Sequence, residues 1–254
     1  AESPPLRQSI VFKGGNALDF VWSPNRSTQD LDFSFDADVA EFALSSETLA
    51  PLLQTGLDAV ADRFSIQFRV HRVRQQPPGA DRTFFTLEAR VGYALADESL
   101  LRRRMLAGDA SPDVVPVEVS VNEPICAFAL HRFDPAYEPL RVSTVEDIVA
   151  EKLRALLQQP VRNRTRRQDL LDIAVLLERH TAVDRAKVAR FMVAKAGSRN
   201  VPVSKSAFHN PEIGARARDD YDALANTTRH VFIPFEAALV LLLDFVDGLD
   251  IPER

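Results

Sequence analysis

Two aspartates separated by one residue, Asp30 and Asp32, have the type and spacing that divalent-metal chemistry requires. Residues 31–35 alternate apolar and polar side chains, which predicts a half-buried strand. Side chains two residues apart on a strand point to the same side of the sheet, so both carboxylates are expected on one face. Nucleotide transfer uses carboxylates arranged in this way to hold two metal ions, one activating the attacking hydroxyl and one neutralising the triphosphate.

A pair of glycines, Gly14 and Gly15, follows the strand-like residues 10–13 and precedes a segment that reads as a helix. Glycine lets backbone N–H groups approach phosphate oxygens without a Cβ in the way. A third carboxylate, Glu118, has apolar neighbours on a candidate strand and would complete the metal site. Singly, such features are more typical of turns and solvated strand ends, and it is their order along the chain that favours a function.

The elements that must position these residues fall into two groups. Short strands alternate with turn signals up to about residue 123, whereas successive helices are predicted from Ser143 onward. We therefore expect an α+β protein, with a mixed β-sheet and flanking helices in a first domain over residues 1–140 and a helical domain over residues 141–254 that completes the active-site cleft. The other predicted elements are a helix over 46–61, a hairpin of 64–74 and 83–93, a strand over 114–121, helices over 145–158, 167–178, 184–196, 215–226 and 234–246, and a long connection over 197–214.

A lysine, Lys152, lies near the centre of the apolar face of the helix that a capping box at Ser143 and Glu146 introduces. Burying an ammonium is costly unless an anion meets it, so Lys152 is expected to point into a polar cleft between the domains. The alternative is a side chain that extends its amine to water. On the next helix, Asp169 borders the apolar face and is the better site candidate, while Asp172 lies on the far side and is assigned to solubility or a helix contact.

Composition restricts the class of protein. With 254 residues, 46% of them hydrophobic, the chain can bury a substantial core, and none of its apolar runs is long enough to span a membrane. The only cysteine, Cys126, excludes an internal disulfide and is typical of a reducing cytosol. A net charge of −5 argues against coating nucleic acid by bulk attraction but not against a local basic surface. The absence of an initiator Met indicates that residues were trimmed or omitted upstream of Ala1.

Residues 11–18 (Val-Phe-Lys-Gly-Gly-Asn-Ala-Leu) and 26–33 (Arg-Ser-Thr-Gln-Asp-Leu-Asp-Phe) together resemble the AbiEii/MenT-type nucleotidyltransferase toxins of the DNA-polymerase-β-like superfamily. That family's pattern is Lys-Gly-Gly-Thr-x-Leu and then Arg-x-Ser-x-Asp-hydrophobic-Asp-Phe. Here Asn16 replaces Thr or Ser, and Thr28 replaces Ser while keeping the hydroxyl. Residues 151–153 (Glu-Lys-Leu) and 166–172, where Gln168 is inserted after the arginine, resemble the family's second half.

The resemblance implies a Mg²⁺-dependent enzyme that transfers a nucleotide from an NTP to an RNA acceptor such as the tRNA 3′ end. It also implies a bacterial, cytoplasmic toxin of a type IV-like system, with a cognate antitoxin and no membrane partner. The residues it assigns are the metal ligands Asp30, Asp32 and Glu118, the further catalytic residues Lys152 and Asp169, the nucleotide-binding residues Lys13, Gly14, Gly15, Asn16, Thr28 and Lys152, and the RNA-binding residues Arg162, Arg164, Arg166 and Arg167.

Two other functions are compatible with this core. An antibiotic nucleotidyltransferase would keep the chemistry and replace the RNA by an aminoglycoside or lincosamide, for which an acidic cleft lining would be typical. A catalytically inactive nucleotide-binding module would keep only the fold, but the three carboxylates argue against it. P-loop, zinc-protease, serine-hydrolase and helix-turn-helix patterns are missing from the sequence, which leaves those classes without support.

Overall fold

The computed structural model describes residues 2–79, 82–180 and 182–254. They form a mixed sheet with many helices, which confirms the predicted α+β class. The chain divides into two compact units: Ala1–Asn16, Thr28–Ile125 and Ala129–Val142 form the first, and Ala17–Ser27, Cys126–Phe128 and Ser143–Arg254 form the second. The second unit thus contains a short segment from near the N-terminus as well as the helical C-terminal part. The prediction of two continuous domains did not include this N-terminal segment.

Most of the sheet belongs to the first unit, and it combines parallel and antiparallel pairs. The strands in the described residues are β1 (Ile10–Lys13), β2 (Leu31–Phe35), β3 (Gln67–Gln76), β4 (Phe85–Ala94), β5 (Val114–Val121), β6 (Phe128–His131) and β7 (Leu140–Ser143). Their order across the sheet is β3-β4-β5-β2-β1-β7-β6. β2 is antiparallel to β1 and parallel to β5, so strands distant in sequence become neighbours at the centre of the sheet.

Helices flank the sheet and make up most of the second unit. Those in the described residues are α1 (Pro4–Ser9), α2 (Gly14–Ala17), α3 (Ser46–Phe64), α4 (Ser99–Ala107), α5 (Val145–Leu157), α6 (Gln159–Arg162), α7 (Arg167–Arg179), α8 (Arg185–Ser198), α9 (Lys205–Phe208), α10 (Pro211–Arg218) and α11 (Phe235–Asp247), with a π-helical turn at Leu18–Trp22 and a 3₁₀ turn at Asp222–Asn226. No helix in the described part of the chain is long and apolar enough to cross a membrane.

The central strands of the sheet have one apolar and one polar face, because their residues alternate in polarity. Phe35 of β2 and Val119 of β5 are buried in a core that also contains Leu49 of α3. The intervening positions of the same strands carry Asp32, Ser34, Glu118 and Ser120. We call the side on which these four residues lie the polar face, and the candidate carboxylates belong to it.

The core of the second unit surrounds α5 and α7. Eight consecutive residues of α7, from Asp169 to Leu176, are buried, and α7 contacts α5, α10 and α11. A helix enclosed in this way buries all its sides, not only the apolar face that the sequence pattern shows. The polar residues of α7 must therefore find partners inside the unit.

Four local predictions were wrong in detail. The N-cap of α5 is Thr144, whose side chain accepts a hydrogen bond from Asp147 N, and not Ser143. The chain over 197–214 contains α9 and the start of α10, and the helix predicted over 215–226 is replaced by α10 and the 3₁₀ turn. α10 begins early because Asn210 caps it at Glu212 N and a proline follows at its first position. The strand predicted from Phe64 begins at Gln67, since α3 extends to Phe64 and ends at left-handed Ser65.

Candidate active site

Asp32 and Glu118 lie side by side in the sheet of the first unit. The register of the parallel pair sets Asp32 of β2 opposite Glu118 of β5. Residues opposite each other on neighbouring strands point to the same face, across a strand spacing of about 4.8 Å. Two carboxylates that are 86 residues apart in sequence are therefore brought together on the polar face. Asp30 precedes β2 by one residue.

The turn after β1 packs its backbone directly against Asp32. Gly14 has a φ of +72°, and a Cβ built on it would lie 2.2 Å from Asp32 Oδ2. A Cβ on Gly15 would lie 2.6 Å from the Thr28 side chain. Neither position has room for a side chain, and the φ of Gly14 is one that other residues rarely adopt. The two glycines are thus required for the close approach of this turn to a carboxylate of the candidate site.

Asn16 ties this turn to the segment that leads into β2. Its Nδ2 donates to the carbonyl oxygens of Thr28 and Asp30 at 3.0 and 2.6 Å, and its Oδ1 accepts from Thr28 N at 3.1 Å. The side chain is buried. These bonds give Asn16 a structural role that the sequence did not reveal. Its contact with a nucleotide, like that of Thr28, stays a prediction.

Lys13 has a partner that sequence reasoning missed. Its Nζ lies 2.7 and 2.8 Å from the two carboxylate oxygens of Glu123 and 3.2 Å from Ser120 Oγ. The two charged side chains are only 14% and 7% exposed. Glu123 follows β5 by two residues and has no motif of its own; the only signal was that a lysine at the end of a central strand needs an anion. Contact between Lys13 and a triphosphate stays a prediction.

The carboxylate pair suits a magnesium ion that takes its remaining ligands from water and substrate. It does not form a metal site made only of protein side chains. Among the residues that the structure describes, no three or more His, Cys, Asp or Glu side chains form a group that could hold a metal. Mg²⁺ commonly binds through one or two carboxylates and takes its other ligands from water and substrate phosphates. Asp32 and Glu118, in register on the polar face, supply that number and type of ligand.

We expect Gly14→Ala to impair the site, because the added methyl meets the Asp32 carboxylate and the backbone must keep a positive φ. The strain should cost about 1 kcal/mol of stability, and displacement of the carboxylate should lower the transfer rate on the order of a hundredfold. Denaturation and transfer assays measure the two effects. Gly197→Ala in α8 is the matched control, since a Cβ there meets nothing within 4 Å; a fully active Gly14→Ala enzyme would contradict the packing argument.

In the second unit, Lys152 of α5 is held between two aspartates of α7. Its Nζ lies 2.7 Å from Asp169 Oδ1 and 2.9 Å from Asp172 Oδ2. Burial lowers the pKa of Lys152, but attraction by both carboxylates outweighs it and raises that pKa above its usual range. Only 9% of the Lys152 side chain is exposed, so the alternative in which it extends its amine to water is wrong. The anion that a buried lysine requires is supplied by the chain itself.

Asp172 is buried, so of its two predicted roles solubility is wrong, whereas the helix contact is confirmed by its ion pair with Lys152 of α5. Besides Lys152 it binds Arg26, whose Nη2 lies 2.9 Å from Asp172 Oδ2. Burial raises the pKa of Asp172, but attraction by Lys152 and then Arg26 outweighs it and holds that pKa below its usual range. The helical wheel failed because α7 is enclosed on all sides. The ion pair joins the arginine of the first family motif to the last aspartate of the second.

The predicted RNA-binding arginines differ in their ion pairing within the second unit. Arg166 lies 3.7 Å from Asp169 Oδ2, and Arg167 pairs with Asp220 at 3.1 Å. Arg162 and Arg164 are exposed. The predicted site residues thus fall into two groups: Lys13, Gly14, Gly15, Asn16, Thr28, Asp30, Asp32 and Glu118 in the first unit, and Lys152, Asp169, Arg162, Arg164, Arg166 and Arg167 in the second.

Comparison with protein families agrees with the motifs. The family described as "Nucleotidyl transferase AbiEii toxin, Type IV TA system" matches residues 1–240. The chain belongs to the AbiEii family of nucleotidyltransferase toxins. It is a nucleotidyltransferase, and membership in the AbiEii family implies a nucleotide substrate and an antitoxin partner. No curated protein matches the sequence.

Solved structures support the AbiEii assignment at the level of the fold. MenT4, a nucleotidyltransferase toxin from Mycobacterium tuberculosis H37Rv, aligns with a TM-score of 0.55 and 20% identity, over 96% of this chain and 77% of that one. JHP933 from Helicobacter pylori aligns with a TM-score of 0.54 and 15% identity, over 96% of this chain and 84% of that one. At these identities the similarity extends to the fold alone.

Proposed function

We propose that this chain transfers a nucleotide from an NTP to an RNA acceptor, such as the 3′ end of a tRNA, in the bacterial cytoplasm. The observation that carries the proposal is the register pair of Asp32 and Glu118 beside the Gly14 backbone. Asp32 and Glu118 are the proposed ligands for Mg²⁺, and the family pattern assigns Asp30, which precedes β2 by one residue, to the same site. The bound metal would neutralise charge on the triphosphate and favour ionisation of the acceptor hydroxyl.

The residues of the turn would bind the nucleotide. Gly14 and Gly15 present backbone without side chains next to Asp32, which suits a closely approaching phosphate. Lys13 lies opposite Asp32 in the register of β1 and β2 and brings a positive charge to the same face. Its bond to Glu123 would hold the ammonium in place before the nucleotide arrives.

An RNA acceptor suits the charge distribution of the second unit. Arg162 and Arg164 are exposed, close in sequence and able to bind phosphates in bidentate fashion. MenT4, which shares the fold, is a nucleotidyltransferase toxin, and this supports a toxic transfer reaction here as well. A small antibiotic acceptor would not need such arginines.

The transfer assay combines purified protein, Mg²⁺, each of the four labelled NTPs in turn, and total bacterial tRNA. We expect label to appear on RNA with at least one NTP and to disappear with EDTA. In cells, expression without an antitoxin should arrest growth, whereas the Asp30→Asn form should not. Absence of label with every NTP, or equal growth with both forms, would overturn the proposal. In a parallel reaction with an aminoglycoside in place of tRNA, label on the antibiotic would favour the antibiotic-modifying alternative.

A further inference from the structure

A row of charged residues crosses the polar face of the sheet. Lys13 lies opposite Asp32, Asp32 opposite Glu118, Glu118 opposite Glu88 on β4, and Glu88 opposite Arg74 on β3. Since partners in register point to the same face, all five side chains share it. Asp32 and Glu118 lie near the centre of the sheet, and the row ends in an arginine on the edge strand β3.

The edge of this face carries several arginines. Arg72 lies opposite Arg90, two residues from the Arg74–Glu88 pair, so these side chains also belong to the polar face. Arg72 and Arg74 are exposed, and within the described ranges neither has an acidic partner at ion-pair distance. Arg90 bonds Glu88 at 3.1 Å and keeps 42% of its side chain exposed. This arrangement leaves an accessible positive surface next to the carboxylates.

We propose that Arg72, Arg74 and Arg90 bind the phosphate backbone of the acceptor RNA and lead its end to Asp32 and Glu118. The inference deepens the proposed function and rests on it. β3 and β2 are separated by three strand spacings, on the order of 14 Å, a distance that a few nucleotides of a single strand cover.

Charge explains why such a surface is needed. The protein has a net charge of −5, and the carboxylates repel a polyanion, so an acceptor RNA requires local positive charge along its path. Guanidinium groups bind phosphate in bidentate fashion without reading the base, which suits an enzyme acting on a strand end. An acidic antitoxin is the other class of partner, but it has no need to share a face with the reacting carboxylates.

The test measures binding separately from transfer. A short, 5′-labelled single-stranded RNA is titrated with wild type and with the Arg72→Gln/Arg74→Gln double variant at several salt concentrations, by fluorescence anisotropy. We expect the dissociation constant to rise about tenfold for the loss of two charge-assisted contacts. The slope of log affinity against log salt should fall by about 1.4, since each contact to a single strand contributes about 0.7. The KM for NTP should stay unchanged.

The control is Arg103→Gln/Arg104→Gln, which also removes two positive charges, but from α4 and not from the sheet. Equal weakening by both double variants would show a bulk-charge effect and overturn the inference. Unchanged RNA affinity and salt slope in Arg72→Gln/Arg74→Gln would also overturn it, and if that variant lost affinity for a purified antitoxin, the surface would be a protein-binding one. Because wild-type transfer is measured in parallel, failure of this surface and failure of the proposed function are distinguishable.

Discussion

Asp32→Asn is expected to abolish nucleotide transfer while leaving the fold intact. The amide has nearly the volume of the carboxylate but lacks the charge that the proposed metal requires, next to Glu118 and in contact range of Gly14. Loss of one metal ligand should lower the rate by at least about a thousandfold, or about 4 kcal/mol of transition-state stabilisation. Labelled-NTP transfer and thermal melting of the same preparation measure rate and fold.

Asp38→Asn is the matched control for this change, since Asp38 is exposed and lies outside β2. It should keep wild-type activity. Substantial transfer by both Asp32→Asn and Asp30→Asn would refute the metal-site assignment. A variant that melts well below the wild type would show instead that Asp32 stabilises the turn at Gly14.

Lys152→Met is expected to destabilise the protein by about 3 to 5 kcal/mol, because it leaves two buried carboxylates without their shared cation. Methionine fills a similar volume, so the loss reflects charge rather than a cavity. Denaturant titration measures the free energy of unfolding. Lys187→Met, which breaks an exposed pair with Asp184, should change it by less than about 0.5 kcal/mol.

The same experiment separates two roles of Lys152. If its ammonium instead binds the triphosphate, the variant should lose little stability and bind a non-hydrolysable NTP more weakly by about 1.5 to 3 kcal/mol. Calorimetric titration of wild type and variant distinguishes these results. A stable variant with unchanged NTP affinity would contradict both roles.

The pH dependence of stability provides a second measurement. The pKa of Asp172 is lower in the folded than in the unfolded chain, so its contribution is complete above the unfolded value of about 3.9 and is lost as pH falls through the folded value. The pKa of Lys152 is higher in the folded chain, so its contribution is complete below about 10.4 and is lost as pH rises through the folded value. Lys152→Met should remove this alkaline loss.

Local patterns in the sequence were sufficient to predict the strands and the glycine pair that carry the site. Alternation in residues 31–35 and 114–121 predicted the two strands of Asp32 and Glu118, and the glycine pair predicted the end of β1, where α2 begins at Gly14. These signals are local: strand alternation, turn residues and caps depend on neighbours within a few positions. Where two local signals competed, the prediction was wrong by one residue at the N-cap of α5 and by four residues at the start of α10, and it missed α9.

The tertiary structure alone decided which charges meet. The strand order β5-β2-β1 sets Glu123 beside Lys13, 110 residues away in sequence, and no local pattern carries that information. The enclosure of α7 turns Asp172 from a surface residue into a partner of Lys152 and Arg26. Buried charges must be paired, so sequence chemistry could require an anion for each lysine, but only the packing of strands and helices determined which carboxylate supplies it.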